Sequence, residues 1–226
     1  MQARLLEPEW LYELPPQDPR AVRSRADLRR VNWVMANARV LAKPLAEELT
    51  PGTRIADLGS GDGSLMLGVA RALRCPGMEL TLVDRAPIIS DATLAAFGEL
   101  GWKARIAASD ALEFISHERQ DVIVANLFLH HLDDASLSRL FALAAQRCRA
   151  LAACEPRRSG LALGASHLLG FIGCNDVTRH DAVVSVRAGF RDDELSRMWP
   201  TPAGWKLIER AAPPFSHLFV ARHHAP

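Results

Sequence analysis

The chain has 226 residues, of which 49% are hydrophobic and 23% are charged, and its formal net charge is +1 at pH 7. This length suits one α/β domain, and so small a net charge provides no long-range attraction for nucleic acid or for an anionic membrane. The four cysteines include no Cys-x-x-Cys pair, and no apolar run is long enough to cross a membrane. We therefore expect no metal site, no disulfide framework and no membrane span, and the lack of a signal peptide predicts a cytoplasmic protein.

Residues 1–49 are predicted to form an arm followed by helices. Residues 1–19 contain four prolines around Trp10 and Tyr12, which predicts an irregular arm with an aromatic anchor. Between residues 20 and 49, apolar residues recur every three or four positions, which indicates one or two amphipathic helices, with Pro44 at the break or start of one. Five arginines between positions 20 and 30 are more typical of a solvated helix face than of a binding stripe.

Three alternating glycines follow the first predicted strand. Residues 54–58 form a short apolar run that suits a buried parallel strand, and residues 65–73 have helical spacing of apolar residues. The junction contains Gly59, Gly61 and Gly63. Glycines allow a sharp turn and a close approach to a ligand, while the free N–H groups of the helix start point at the same place.

A second predicted strand ends in Asp84, where a carboxylate can accept hydrogen bonds from both ribose hydroxyls. The two segments together predict a nucleoside site. Ser64 stands where a dinucleotide-binding pattern has Gly or Ala, so a dinucleotide is disfavoured.

Strands and helices then alternate, which predicts a doubly wound, mostly parallel sheet. The predicted strands are 54–58, 79–84, 103–107, 121–126 and 150–155, and the predicted helices are 64–74, 87–100, 111–116 and 133–149. Beyond Pro156 we expect an apolar segment at 160–173, a helix over 192–199 capped by its acidic start, and closing strands at 205–209 and 217–222. One domain is expected, divided into residues 1–49, 50–156 and 157–226.

The stretch Asp57-Leu58-Gly59-Ser60-Gly61-Asp62-Gly63 resembles motif I of the class I S-adenosylmethionine-dependent methyltransferases. Asp84, Ser109-Asp110-Ala111 and residues 121–132 extend this resemblance, which is strongest to the small-molecule, ubiquinone-biosynthesis type. The resemblance implies a Rossmann-like sheet of seven mostly parallel strands with one antiparallel strand, helices on both faces and an N-terminal helical lid. It also implies S-adenosylmethionine as the cofactor.

The resemblance further implies a role for each motif residue in binding this cofactor. The expected contacts are Asp57 to the ammonium group, the backbone of Gly59, Gly61 and Gly63 to the methionine part, Asp84 to the ribose, Arg85, Asp110 and Ala111 to the adenine, and Asn126 and Leu127 to the remaining wall. Three of these have structural alternatives: Asp57 as a loop brace, Arg85 as a solvent-facing residue and Asp110 as a helix N-cap.

Two histidines are the candidates for a general base. His180 ranks first, because Asp181 is adjacent and the surrounding segment is the one that usually builds the acceptor pocket in such enzymes. His131 ranks second, in a His-His-Leu stretch common in the family. No metal ligand set is expected.

The acceptor is expected to be a small molecule rather than a nucleic acid. Asn126-Leu127-Phe128-Leu129 differs from the Asn/Asp-Pro-Pro-Tyr/Phe motif of enzymes that methylate base amines. The apolar segment and its aromatic residues suit an aromatic or polyketide-like ring and favour O-methylation; these aromatics are Phe171, Phe190, Trp199 and Phe215. C-methylation of a quinol-like substrate, a nicotinamide-dependent oxidoreductase and a non-catalytic cofactor-binding module remain alternatives, and the protein is expected to be a monomer or homodimer.

Overall fold

The computed structural model of the protein describes residues 3–15, 17–200 and 203–223. Residues 1–2 and 16 of the predicted arm, and residues 201–202 and 224–226 of the predicted third segment, lie outside the described residues. The strands are β1 Arg54–Leu58, β2 Glu79–Asp84, β3 Lys103–Ala108, β4 Val122–Asn126, β5 Ala150–Pro156, β6 Trp205–Ala212 and β7 Ser216–His223. The helices are α1 Trp10–Glu13, α2 Pro19–Val34, α3 Asn37–Leu45, α4 Ser64–Leu73, α5 Asp91–Glu99, α6 Ala111–His117, α7 Asp134–Arg147, α8 Gly160–His167, α9 Asp176–Ala188 and α10 Glu194–Met198, with 3-10 turns at Leu129–His131 and Leu169–Ile172.

The seven strands form one sheet in the order β3-β2-β1-β4-β5-β7-β6. Strands β1 to β5 run parallel, and only β7 is antiparallel to its neighbours β5 and β6. The predicted fold, a doubly wound sheet with one antiparallel strand, is therefore confirmed. The strand order reverses between β1 and β4, which places a crevice at the carboxyl ends of these strands.

Two apolar layers cover the sheet, because successive side chains of each strand point to opposite faces. Ile55 packs in the layer under α3, α4 and α5, whereas Ala56 and Leu58 pack in the layer under α6 and α7. The second layer also contains Phe190 and Trp199, which are buried. These two aromatics therefore belong to the core and not to an acceptor pocket; the ring of Trp199 lies 5.1 Å from that of Phe141.

The amino-terminal region contains more helix than the sequence predicts. The arm includes the short helix α1, and residues 20–49 form α2 and α3. The break between them is not at Pro44, which lies inside α3, but at Ala36, whose φ of 54° is left-handed. Pro44 is tolerated near the carboxyl end of α3, where its carbonyl accepts a hydrogen bond from Arg222 at 2.7 Å.

Helix α10 has its start stabilised by a distant carboxylate. Asp193 occupies the N-cap position but makes no side-chain cap hydrogen bond, so the predicted capping by the acidic cluster is wrong. Instead, the N–H groups of Leu195 and Ser196 donate to the carboxylate of Glu209 on β6, at 3.0 and 2.7 Å. Glu209 also pairs with buried His217 at 2.8 Å.

We predict that Glu209→Ala lowers the free energy of unfolding by roughly 2–4 kcal/mol, because it leaves two helix N–H groups and a buried imidazole without an acceptor. Asp193→Ala is the matched control: it removes an exposed carboxylate whose i,i+4 pair with Arg197 is expected to contribute about 0.5 kcal/mol or less. Urea unfolding measures both changes, and equal effects would contradict the assignment of the cap to Glu209.

Candidate functional site

The glycine turn after β1 is held against the end of β2 by backbone hydrogen bonds. The N–H groups of Gly59 and Ser60 donate to the Val83 carbonyl at 2.9 and 3.1 Å. The N–H of Gly61 donates to the carboxylate of Asp84 at 2.9 Å. The position of the turn therefore depends on the residue that the sequence predicts as a ribose ligand.

All three glycines have positive φ, but they face different surroundings. A Cβ at Gly59 would lie 2.5 Å from the Phe128 ring, whereas a Cβ at Gly61 would meet no atom within 4 Å. The backbone at Gly61 therefore borders open space in the crevice. Gly63 is the N-cap residue of α4, and a Cβ there would lie 3.2 Å from Thr93, so Gly63 shapes the helix start.

The crevice has two adjoining chambers. The inner chamber, about 410 Å³, is lined by Asp57, Gly59, Gly61, Asn126 and Leu127, together with residues of α2 and the arm. The outer chamber, about 560 Å³, is lined by Gly59, Asp84, Arg85, Asp110 and Ala111. Every residue that the sequence predicts for cofactor binding lines one of these chambers except Gly63.

Asp57 is a buried carboxylate at the bottom of the inner chamber, with 2% of its surface exposed. Burial, and secondarily the negative charge of Asp84, raise the pKa of Asp57 well above its usual value. A positively charged group in the crevice would stabilise the ionised carboxylate of Asp57, beside that of Asp84. The pair thus fits the cationic end of S-adenosylmethionine.

Asp110 acts as the N-cap of α6. One of its oxygens accepts hydrogen bonds from the N–H groups of Leu112 and Glu113, at 2.8 and 3.3 Å. This is the structural alternative named for Asp110. The same side chain borders the outer chamber, so capping and ligand contact are compatible.

Leu127 follows β4 with a φ of 49°, which is unusual for a residue with a side chain. Its N–H donates to the Cys154 carbonyl at 3.0 Å, which holds the strained backbone in place. Such strain is concentrated at functional sites. Leu127 lines both the inner chamber and an adjoining apolar cavity.

His130 lies between two glutamates, of which Glu155 is fully buried on β5. Glu155 accepts hydrogen bonds from the N–H groups of Phe128 and Leu129 at 3.1 and 3.0 Å, and it lies 2.8 Å from His130 Nδ1. On the other side, His130 Nε2 lies 3.5 Å from Glu9 of the arm. Burial alone would lower the pKa of His130, but the bonds to Glu155 and Glu9 outweigh it and raise this pKa to about 9.

The environment of the neighbouring His131 lowers its pKa, whereas that of His130 is raised. Burial and the charge of His130 lower the pKa of His131 to about 4, so its imidazole is neutral at pH 7. Its Nδ1 lies 4.0 Å from Glu9, and its Nε2 lies 3.5 Å from the Tyr12 hydroxyl. His131 lines both chambers.

Glu9, His130 and His131 form the one group, among the described residues, whose potential ligand atoms lie close enough to share a metal ion, all within 4.8 Å. Protonated His130 already supplies positive charge between the carboxylates of Glu9 and Glu155.

His180 is not brought to the crevice. Its ring stacks on Trp10 at 3.9 Å with an interplanar angle of 8°, and its Nδ1 lies 2.9 Å from Asp181. It borders a separate groove together with His167 and Arg179. Asp181, the next residue of α9, also accepts hydrogen bonds from the N–H groups of Trp10 and Leu11 of the arm, at 2.9 and 3.0 Å.

The arm and helix α2 contribute residues to the site that were not predicted from the sequence. Glu9 and Tyr12 line both chambers, and Arg29 of α2 bonds to Asp62 of the glycine turn at 2.9 Å. No sequence pattern around Glu9, Tyr12 or Arg29 predicts these contacts. Glu155 did have a signal, because it is the charged residue of an otherwise apolar buried strand.

A family model, the methyltransferase small domain, matches residues 34–152, which is just over half of the chain. The chain belongs to this methyltransferase family. It is a class I enzyme with S-adenosylmethionine as its cofactor, as the resemblance in the sequence implies. The nicotinamide-dependent oxidoreductase and the non-catalytic module are therefore set aside.

No curated protein matches the chain at a significant level. Among solved structures, the plantazolicin methyltransferase BamL, in complex with a triazolic desmethylPZN analog and SAH, is 12% identical with a TM-score of 0.64, covering 94% of this chain and 92% of that one. An O-methyltransferase family protein from Burkholderia thailandensis is 19% identical with a TM-score of 0.61, covering 92% and 60%. The mitomycin 7-O-methyltransferase is 22% identical with a TM-score of 0.60, covering 95% and 60%. These likenesses show the fold, and the chain spans about three fifths of the latter two proteins.

None of the helices in residues 3–15, 17–200 and 203–223 combines the length and apolar character needed to cross a bilayer.

We predict that protonation of His130 makes the stability pH-dependent. Its pKa is raised from 6.5 to about 9 on folding. The contribution is therefore fully present below pH 6.5 and lost as the pH rises through about 9, by up to about 3 kcal/mol. Urea unfolding at several pH values tests this, and His130→Gln should flatten the curve over that interval. An NMR titration of the wild-type imidazole near its ordinary pKa would contradict the assignment whether or not the variant folds.

Proposed function

We propose that the enzyme transfers the methyl group to an oxygen of a small, lipophilic, aromatic or polyketide-like acceptor. S-adenosylmethionine supplies an electrophilic methyl group on a positively charged sulfur. In one domain, residues 1–49 would cover the cofactor, residues 50–156 would hold it, and residues 157–226 would complete the acceptor pocket. The observation that carries the proposal is an apolar cavity that adjoins the inner chamber.

The cofactor-binding roles follow from the donors and acceptors of the two chambers. Asp84 uses its carboxylate oxygens for the N–H groups of Gly61 and Ala86, both at 2.9 Å. Each oxygen retains a lone pair for a ribose hydroxyl. The carboxylate of Asp57 would bind the ammonium group, and the bare backbone at Gly61 would lie along the methionine part.

The adenine would occupy the outer chamber, between Arg85 on one side and Asp110 and Ala111 on the other. Asn126 and Leu127 would complete the wall of the inner chamber, and Gly59 would allow the turn to pack against Phe128. Gly63 would act indirectly, through the start of α4, because it lines neither chamber.

The apolar cavity has a volume of about 130 Å³ and shares Glu9, Leu11, Leu28, Leu127 and Ser185 with the inner chamber. Its other lining is mainly aliphatic, with Phe215 as its aromatic member: Val31, Val34, Met35, Ala165, Leu169, Ile172, Ala182 and Val186. A dry apolar cavity of roughly 150 Å³ accommodates a benzene ring. The cavity thus suits one ring or an alkyl chain, directed at the methyl group. The O-methyltransferases among the similar structures support oxygen as the acceptor atom.

His131 would act as the general base for a phenolic or enolic acceptor. Its imidazole is neutral at pH 7 and lines both chambers, so a ring nitrogen is available for the acceptor's proton. The carboxylate of Glu9 at 4.0 Å would offset part of the burial and of the His130 charge that hold the pKa of His131 near 4. The Tyr12 hydroxyl at 3.5 Å would fix the ring. His180 is not proposed as the base, because it borders a different groove.

We place the enzyme in the cytoplasm, as a monomer or homodimer in small-molecule biosynthesis. Four cysteines are free thiols, and burial raises the pKa of Cys148 and Cys154 to about 12, which makes them poorly reactive. The net charge of +1 supports a small acceptor rather than a nucleic acid.

Asp84→Ala should weaken binding of S-adenosylhomocysteine by about 1–3 kcal/mol, because it removes hydrogen bonds to the ribose and the anchor of the glycine turn. Isothermal titration calorimetry measures this change. Asp91→Ala, which removes an exposed carboxylate at the start of α5, is the control with the same loss of charge. If the two variants bind the ligand equally well, the ribose assignment is wrong.

His131→Gln should lower kcat by roughly 10²–10⁴-fold on a phenolic acceptor while affinity for S-adenosylhomocysteine changes little. His180→Gln should keep near wild-type turnover. A panel of alkyl-substituted phenols with isotope-labelled cofactor provides the assay, and NMR of the product distinguishes O- from C-methylation. A large loss in His180→Gln with normal turnover in His131→Gln would reverse the assignment.

A further inference from the structure

Large apolar side chains form an exposed surface next to the apolar cavity. Trp33 and Val34 at the end of α2 are 83% and 51% exposed. Leu168, Phe171 and Ile172, between α8 and α9, are 57%, 89% and 56% exposed. We refer to these five residues as the apolar patch. An exposed apolar cluster of this kind marks an interaction site.

Two residues of the patch also line the apolar cavity. Val34 and Ile172, one from each segment of the patch, line the cavity and are also half exposed. At its inner end, the cavity reaches Leu127 and Ser185 of the inner chamber. The patch therefore lies at the opening of an apolar route from the surface to the crevice.

Arginines flank the patch. The guanidinium of Arg23 donates to the Gly173 carbonyl at 3.2 Å, next to Ile172. Arg179 packs against Gly170, where an added Cβ would lie 3.4 Å from its Nε. Arg30 pairs with buried Asp27, whose carboxylate accepts the N–H of Asn175 at 2.8 Å. Of the five arginines of helix α2, Arg23 and Arg30 therefore lie on the side of the patch, whereas Arg29 pairs with Asp62 of the glycine turn.

We propose that this surface docks the enzyme on an anionic lipid bilayer, with the apolar patch at the acyl boundary and the arginines at the phosphate groups. Tryptophan, phenylalanine and arginine side by side are typical of peripheral membrane-binding surfaces. The cavity opening then faces the acyl region, from which a lipophilic molecule can enter without crossing water. The net charge of +1 does not oppose this, because the attraction is local and acts within a Debye length.

A second copy of the chain fits this surface less well than a bilayer does. In a two-fold dimer built on the patch, the same arginines would face each other across the interface. Like charges at close distance are unfavourable, whereas phosphate groups neutralise them. The proposal concerns docking alone and does not depend on which molecule is methylated.

The test is co-sedimentation of the full chain with phosphatidylcholine vesicles, with and without phosphatidylglycerol. Binding should be several-fold stronger with phosphatidylglycerol and should weaken at high salt. The double variant Trp33→Ser/Phe171→Ser should lower the partition coefficient by about 10-fold or more. Ile106→Ser on β3 is the control, because Ile106 is an exposed apolar residue outside the patch, and its binding should equal that of the wild type.

A second double variant tests the contribution of the arginines to binding. Arg23→Gln/Arg179→Gln should reduce the preference for phosphatidylglycerol while leaving the weak binding to phosphatidylcholine unchanged. Binding of S-adenosylhomocysteine by all variants shows that they are folded.

Two results would overturn the proposal. One is wild-type protein that remains in the supernatant with phosphatidylglycerol vesicles at low salt. The other is a wild-type dimer in light scattering that Trp33→Ser/Phe171→Ser converts to a monomer, which would assign the patch to contact between copies.

Discussion

The carboxylate of Asp84 joins the two halves of the cofactor crevice. It accepts the N–H of Gly61 from the glycine turn and that of Ala86 from its own loop, and so it fixes the turn after β1 to the end of β2. The inner and outer chambers meet at this residue. Because strands β1, β2 and β4 are parallel and in register, their ends open on the same edge, and one bound nucleoside can contact all three.

The arm covers this edge through a chain of buried charges. Glu155 orders the loop after β4 by accepting hydrogen bonds from backbone N–H groups. The imidazole of His130 lies between the carboxylates of Glu155 and Glu9 and links the loop to the arm. A buried carboxylate without such a partner would be costly, so the arm and the loop stabilise each other. The same contact places Tyr12 beside His131, over the crevice.

The sequence predicted the fold well because its signals are local. Apolar runs, glycine turns and helical spacing predicted the order of strands and helices between residues 54 and 156, whereas helices α8 and α9 were not predicted. Ser90 explains the late start of α5, at Asp91 rather than residue 87, because its side chain caps this helix. The residues placed at strand ends were also predictable, although their contacts with the cofactor remain predictions. Their position follows from the parallel topology alone.

Contacts between distant segments were not predictable. The pairing of Glu9 with His130, the capping of α10 by Glu209, and the orientation of His180 toward Trp10 all depend on how separate parts of the chain pack. Adjacency of His180 to Asp181 was the signal for a base, and the two side chains do pair, but Asp181 also binds the arm and His180 borders a different groove. Likewise, the aromatic composition of the third segment did not distinguish buried Phe190 from exposed Phe171.

The most direct test is a crystal structure of the enzyme with S-adenosylhomocysteine. We expect the ribose within hydrogen-bond distance of the Asp84 carboxylate, the amino-acid part beside Gly61 and Asp57, and the sulfur directed toward Leu127 and the apolar cavity. A ligand bound with its ribose away from Asp84, or its sulfur directed away from that cavity, would contradict this expectation.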